Sequence, residues 1–322
     1  MSSAIIQEIM SKREKIKGLT ATVGFDGFVD ELFSVVKTKG DCKIYSVFET
    51  IAEFSKRIGE AAGLSADMEL IAKGGKLGGN APIMANALAG LGLNVNCIGA
   101  MGYPSIHPSF AAMDKNCRLI SVCEPATTYA FEFDDGKLMF ANLKPFEKLN
   151  WETLKHIVGL ENIIQMLDGS NLIAIVNWSL IYSMDSIWKG IKAEVLDRLN
   201  YNNGIKKKVF FDLADPSKRT KDDIKEVLDL ISDYSEYCDV TLGLNENEAR
   251  CIFSALCNGN AEGYIYKNGK SPNLIEICES IFNHIKIKTL LIHPSDRCIY
   301  ATEKGVFEIM GDVVAKPKIT TG

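Results

Sequence analysis

Two carboxylates four residues apart carry the first hint of chemistry in this sequence. Gly24-Phe25-Asp26-Gly27-Phe28-Val29-Asp30 follows an apolar run, Leu19 to Phe25, that reads as a buried strand. An ionised carboxylate accepts hydrogen bonds from several donors, which suits the recognition of ligand hydroxyls. Asp26 beside Gly27 fits an Asx-turn equally well. A second constellation is Asn245-Glu246-Asn247-Glu248. An amide and a carboxylate one helical turn apart share a face and suit a hydrated Mg2+ with phosphate oxygens. The spacing is also that of a capping box, and local pattern alone favours that reading.

Between these pairs lies Gly74 to Gly92, with four glycines in its first six positions. Glycines let backbone turn sharply and approach a ligand closely. Asn80 is a good N-cap, and Pro82 falls in the first turn of the helix that follows. Ala81, Met84, Ala85 and Leu88 keep helical spacing, and Gly92 suits a left-handed residue past the helix end. The stretch reads as a ligand-contacting turn that feeds a closely packed helix.

The elements that must position these residues alternate between strand and helix. Strands are expected at Leu19 to Phe25, Leu93 to Ala100, Leu172 to Asn177, Val209 to Leu213, Asp239 to Leu242 and Thr289 to His293. Amphipathic helices fall between them, and a further hairpin is expected around Ile299 to Ile309. Such alternation implies a parallel sheet covered by helices, hence an α/β fold. Residues 117–145 break the rhythm: Tyr129, Phe131 and Phe133 alternate, Asp134-Asp135-Gly136 turns, and Leu138 and Phe140 resume. This hairpin, with the extended residues 31–48, is expected to form a small β-sheet lid inserted in a single domain spanning 1–322.

Composition narrows the function classes. The 322 residues are 47% hydrophobic and 24% charged, with net charge −5, which argues against a general nucleic-acid binder. Nine cysteines without a C-x-x-C pair suit free thiols in a reducing compartment, and four scattered histidines do not suit a zinc site. With no signal peptide and no long apolar span, a cytoplasmic protein without membrane partners is expected. Gly90-Leu91-Gly92 lacks the later glycine of a dinucleotide fingerprint. Gly269-Lys270-Ser271 lacks the first glycine of a P-loop, because Tyr264 stands there.

Taken in order, the motifs resemble those of the PfkB-type (ribokinase-like) carbohydrate kinases from Val23 to Gly322. They are Gly-x-Asp-x-x-x-Asp after the first strand, Gly78-Gly79-Asn80-Ala81, the Thr127-Thr128 hairpin, Asp215-Pro216-Ser217-Lys218-Arg219, and Asn245-x-x-Glu248. The resemblance implies a doubly wound α/β domain with a β-sheet lid that transfers the γ-phosphoryl of ATP to a substrate hydroxyl. It implies that Asp26, Asp30, Gly79 and Asn80 hold the hydroxyls of a sugar or nucleoside. It gives Asn245 and Glu248 to Mg2+ through water, and places Asp212 and Arg219 near the nucleotide. A homodimer through the lid is a further implication.

The sequence departs from the family where Tyr103-Pro104 follows Gly102, and where His293-Pro294-Ser295-Asp296-Arg297 replaces a glycine-bearing turn. Thr320-Thr321-Gly322 resembles the start of the T-T-G-A-G-D signature. There backbone N–H groups cradle the phosphoryl group and the aspartate is the general base. Thr321 and Gly322 would belong to that anion hole, and the aspartate would follow Gly322. The expectation is a fragment of an active enzyme or a truncated product without catalysis. A nucleoside kinase or a non-catalytic sugar-binding protein of the same fold is the alternative, and a nicotinamide-dependent oxidoreductase the weaker rival.

Overall fold

The structure is a computed structural model that describes residue 12 and residues 15–40, 45–201, 206–257 and 272–311. Among these, two sheets account for fourteen strands. In chain order the strands are β1 (Thr20–Phe25), β2 (Phe28–Lys39), β3 (Tyr45–Val47), β4 (Leu70–Gly78), β5 (Asn94–Gly99), β6 (Cys117–Ser121) and β7 (Ala126–Phe133). They continue with β8 (Gly136–Asn142), β9 (Leu172–Ile175), β10 (Lys207–Asp212), β11 (Cys238–Leu244), β12 (Thr289–Ile292), β13 (Arg297–Thr302) and β14 (Gly305–Met310).

The large sheet has nine strands in the order β14-β13-β12-β11-β10-β9-β1-β5-β6. Its strands run parallel from β6 to β12, and β13 and β14 complete the edge as an antiparallel hairpin. The chain winds outward from β1 in both directions, the doubly wound pattern expected of the α/β alternation. Central strands must be apolar on both faces, and β1 is buried along Ala21–Phe25. On one face Ala21, Val23, Val95 and Cys97 pack against Ala81, Ala85 and Ala89 of the helix Asn80–Gly90. Small side chains on both partners let that helix lie close to the sheet. The opposite face buries Phe211, Val240, Leu242 and Leu290 under the helices between Trp151 and His284.

The second sheet has five strands, in the order β3-β2-β7-β8 with β4 also on β2. Residues 28–39, 45–47, 70–78 and 126–142 contribute to it, but Cys117–Ser121 does not. That segment pairs in parallel with β5 and forms the edge of the large sheet. The glycine-rich run before Gly79 is also not a turn. Leu70–Gly78 is a strand paired antiparallel with β2 from Val35 to Phe28. Glycines and exposed side chains hide its strand character, because backbone pairing rather than an apolar face holds it.

Among the described residues no helix is long and apolar enough to cross a membrane.

Candidate active site

The polar residues singled out above gather at the carboxyl ends of the parallel strands, where the winding direction changes at β1. In open α/β sheets ligands bind in that crevice. Asp26 follows β1, Asp212 ends β10, and Asn245 follows β11. Asn80 opens the helix on the other side of the crevice.

Asp26 is fully buried. Its Oδ2 accepts the N–H of Asn80 at 2.8 Å, and its Oδ1 the N–H of Ala81 at 2.7 Å. Oδ2 also accepts the Nδ2–H of Asn177 at 2.6 Å. These partners correct two expectations. Asn80 is not the N-cap; Gly79 holds that position at φ +97 and has no side chain to cap with. The Asp26 carboxylate, 54 residues away in sequence, satisfies the helix's first donors instead. With three protein donors on its carboxylate and none of its surface exposed, Asp26 does not face a ligand's hydroxyls. Burial pushes its carboxyl up to about 6, against the lowering effect of its three hydrogen bonds.

Gly79 must be glycine on two counts. Its φ is left-handed, and a Cβ would lie 3.0 Å from Asp26 Oδ2 and 3.1 Å from Gly27 Cα.

Asp30 differs from Asp26 in almost every respect. It lies in β2 and is 9% exposed. Its side chain accepts no hydrogen bond from the described residues. In register it stands beside Lys76 of β4 and Thr128 of β7, on one face of the second sheet. Gly78 makes room for it, since a Cβ there would sit 2.7 Å from Asp30 Oδ1.

Asn80 is half-buried, and its Nδ2 donates to Asp212 Oδ1 at 2.9 Å. Its Oδ1 accepts no hydrogen bond from the described residues. Asp212 therefore touches the helix start across the crevice, and burial raises its carboxyl above the ordinary range. Arg219 is largely committed elsewhere. Its Nε and Nη2 donate to the carbonyls of Ser179, Trp178 and Ile181, and its guanidinium lies 4.8 Å from the Trp178 ring centroid. It shapes the loop after β9 and leaves little of its fork for a nucleotide.

Asn245 and Glu248 form the capping box that local pattern favours. Asn245 Oδ1 accepts the Glu248 N–H at 2.9 Å, and Glu248 Oε2 accepts the Asn245 N–H at 2.8 Å. Glu248 Oε1 further accepts from Asn245 Nδ2 at 2.6 Å. Burial pushes the Glu248 carboxyl up to about 7, and Asp212 and Asp215 add to the shift. Among the described residues no three Asp, Glu, His or Cys side chains converge on a metal position. Each Glu248 oxygen keeps lone-pair capacity for a water, so this donor set fits Mg2+ held through its own waters rather than in a protein cage. Thr321 and Gly322 lie outside the described residues.

The chain matches the family model described as prokaryotic ketohexokinase over residues 4–322. A curated ketohexokinase from Haloferax volcanii is 26% identical over 241 residues, which is 74% of this chain and 63% of that protein. The match thus spans less than two thirds of the relative's length. Among solved structures, a carbohydrate kinase from Agrobacterium tumefaciens superimposes with TM-score 0.55 at 13% identity, covering 95% of this chain and 80% of its own. A fructokinase from Xylella fastidiosa gives TM-score 0.55 at 14% identity, with coverages of 92% and 76%. An E. coli protein described as ribokinase II, in complex with ATP and Mg2+, gives 0.54 at 14% identity, with coverages of 94% and 80%. These structures establish a shared ribokinase-like fold, and the family match does the rest: the chain belongs to the prokaryotic ketohexokinase family.

Proposed function

We propose that this protein transfers the γ-phosphoryl group of ATP to a hydroxyl of a ketohexose such as fructose. Asp30 carries the reading. It is a nearly buried carboxylate without a donor from the described residues, beside the helix start that carries Asn80. Leaving such an acceptor unpaired is costly, and ligand hydroxyls would satisfy it. The family and the Haloferax relative support a ketose, and the E. coli complex supports ATP with Mg2+.

In this reading Asp30 and the free Oδ1 of Asn80 hold the sugar, and the backbone at Gly79 lets the helix start approach it. Asn245 and Glu248 would hold Mg2+ through water, and the ion would supply charge neutralisation at the transferring phosphates. Phosphoryl transfer depends mainly on positioning and on such neutralisation. The second sheet would exclude water when it closes over the crevice. Thr321 and Gly322 keep the anion-hole role that the resemblance implies.

The test is coupled ADP release with fructose, other sugars and nucleosides. It would be run on this chain and on one continued through the Ala-Gly-Asp that the resemblance places after Gly322. Turnover of fructose by the continued chain is the expected result. Turnover of nucleosides alone would replace the reading with a nucleoside kinase, and sugar binding without ADP release in either chain with a non-catalytic binding protein.

The partner in this reading is a second copy of the chain. Val35, Leu70, Tyr129, Phe131 and Phe140 help line an apolar depression of about 370 Å³ on the second sheet. The exposed apolar side chains at its rim, Leu70, Tyr129 and Phe140, support a contact surface there. Light scattering should find a dimer that Phe140→Lys converts to monomer; a monomeric wild type would remove this assignment.

A further inference from the structure

Asn177 stands just past β9, next to β1 in the large sheet. It is 1% exposed and its φ is +63, a conformation that most side-chain-bearing residues avoid. Its Nδ2 donates to Asp26 Oδ2, while its Oδ1 is buried without a partner among the described residues. An unsatisfied buried acceptor lowers stability, and the left-handed backbone limits the position to the few residues, asparagine among them, that adopt it readily. Proteins tolerate such positions where the other end of the side chain has a task.

Here that other end holds Asp26. The same carboxylate takes the first two N–H groups of the helix Asn80–Gly90, so it joins β1, β9 and the helix start. The titratable groups that face Asp26 are Asp212 from β10 and the Cys97 thiol from β5, which burial keeps neutral. Among the described residues no cation bears on it, and Asn177 is its side-chain donor.

We propose that Asn177 is a positioning residue: by donating to Asp26 it holds that carboxylate on the N–H groups of Asn80 and Ala81, and so fixes Asn80 for the sugar. The role of Asn80 rests on the sugar-kinase reading, whereas the link between Asn177 and Asp26 can be tested without it.

Asn177→Gly removes the amide and keeps a backbone at ease with positive φ. Asn177→Asp keeps the shape and replaces the donor with a second acid. Fructose binding by calorimetry and thermal unfolding would each be followed from about pH 5 to about pH 9, across the range where such coupled acids titrate. Burial already raises Asp26 and the Asn177 hydrogen bond opposes it, so losing the donor moves the titration further up. For Asn177→Gly we expect affinity near neutral pH to fall about tenfold, with the pH midpoint about one unit higher. Its affinity would fall as the pH drops through that midpoint.

In Asn177→Asp the two carboxyls would share one proton, and the protonated partner would donate as the amide did. Its affinity should therefore recover as the pH falls and be lost as it rises. Opposite pH responses of the two variants are the signature of a donor role. Wild-type affinity and midpoint in both variants, or equal losses at every pH, would overturn the proposal. If the wild type binds no sugar, the sugar reading fails and the unfolding profiles decide. An upward shift of the Asp26 titration in the glycine variant then upholds the Asn177–Asp26 link, and an unshifted one ends it.

Discussion

The end of β1 and the start of β2 each bury an aspartate, four residues apart, to opposite ends. Asp26 has three donors and no exposed surface; Asp30 has a little exposed surface and no donor from the described residues. The first is consumed in joining β1 and β9 to the helix start, and the second keeps its acceptor capacity. An acid's sequence neighbourhood does not separate these fates. Its partners do, and those of Asp26 arrive from 54, 55 and 151 residues away.

Removing each acid should break the comparison in different observables. Asp26→Ala strands two backbone donors and the Asn177 amide, so it should cost roughly 3–5 kcal/mol of stability in chemical denaturation. A loss under about 1 kcal/mol would mean that those donors find other partners.

A change of pH isolates the same group. The Asp26 carboxyl keeps its proton up to about 6 when folded, against the ordinary 3.8. The folded protein therefore binds more protons between those values, and stability falls as the pH rises through that window. Wild type minus Asp26→Asn should show this fall, on the order of 3 kcal/mol, complete above about pH 6. A flat difference would place the charge elsewhere.

Asp30→Ala should do the reverse. Stability should stay within about 1 kcal/mol of wild type, because no donor is stranded, while fructose affinity falls roughly 100-fold in calorimetry. Unchanged affinity would take the sugar away from Asp30.

The smallest effect sharpens the contrast. Gly78→Ala puts a methyl group against the Asp30 carboxylate and leaves Asp26 alone. It should weaken fructose binding about tenfold without changing the pH dependence of stability.

Much of this was legible where the physics is local. Strand–helix alternation announces the parallel sheet because side-chain periodicity reflects which faces are buried. The Asn245–Glu248 capping box closes within one helical turn, so its pattern is its structure. The cap of the helix at Asn80 was not legible, because a distant carboxylate, that of Asp26, replaced the expected side-chain cap. Asn177 carried no signal beyond its place at a strand end. The strand Leu70–Gly78 was hidden because backbone pairing leaves no trace in hydropathy.

The contact between Gly27 and Gly79 has a mechanical consequence. The chain leaves the large sheet for the second through Asp26-Gly27, and returns to the helix start through Gly79. Phe28 and Gly78 are paired in register just beyond those residues. These two crossings therefore lie side by side, and the Asp26 carboxylate ties one to the other. Swinging the second sheet would load the same hydrogen bonds that set Asn80. In the sugar-kinase reading, the rate of sugar capture and the geometry of the bound sugar should then vary together in any variant of Gly27 or Gly79.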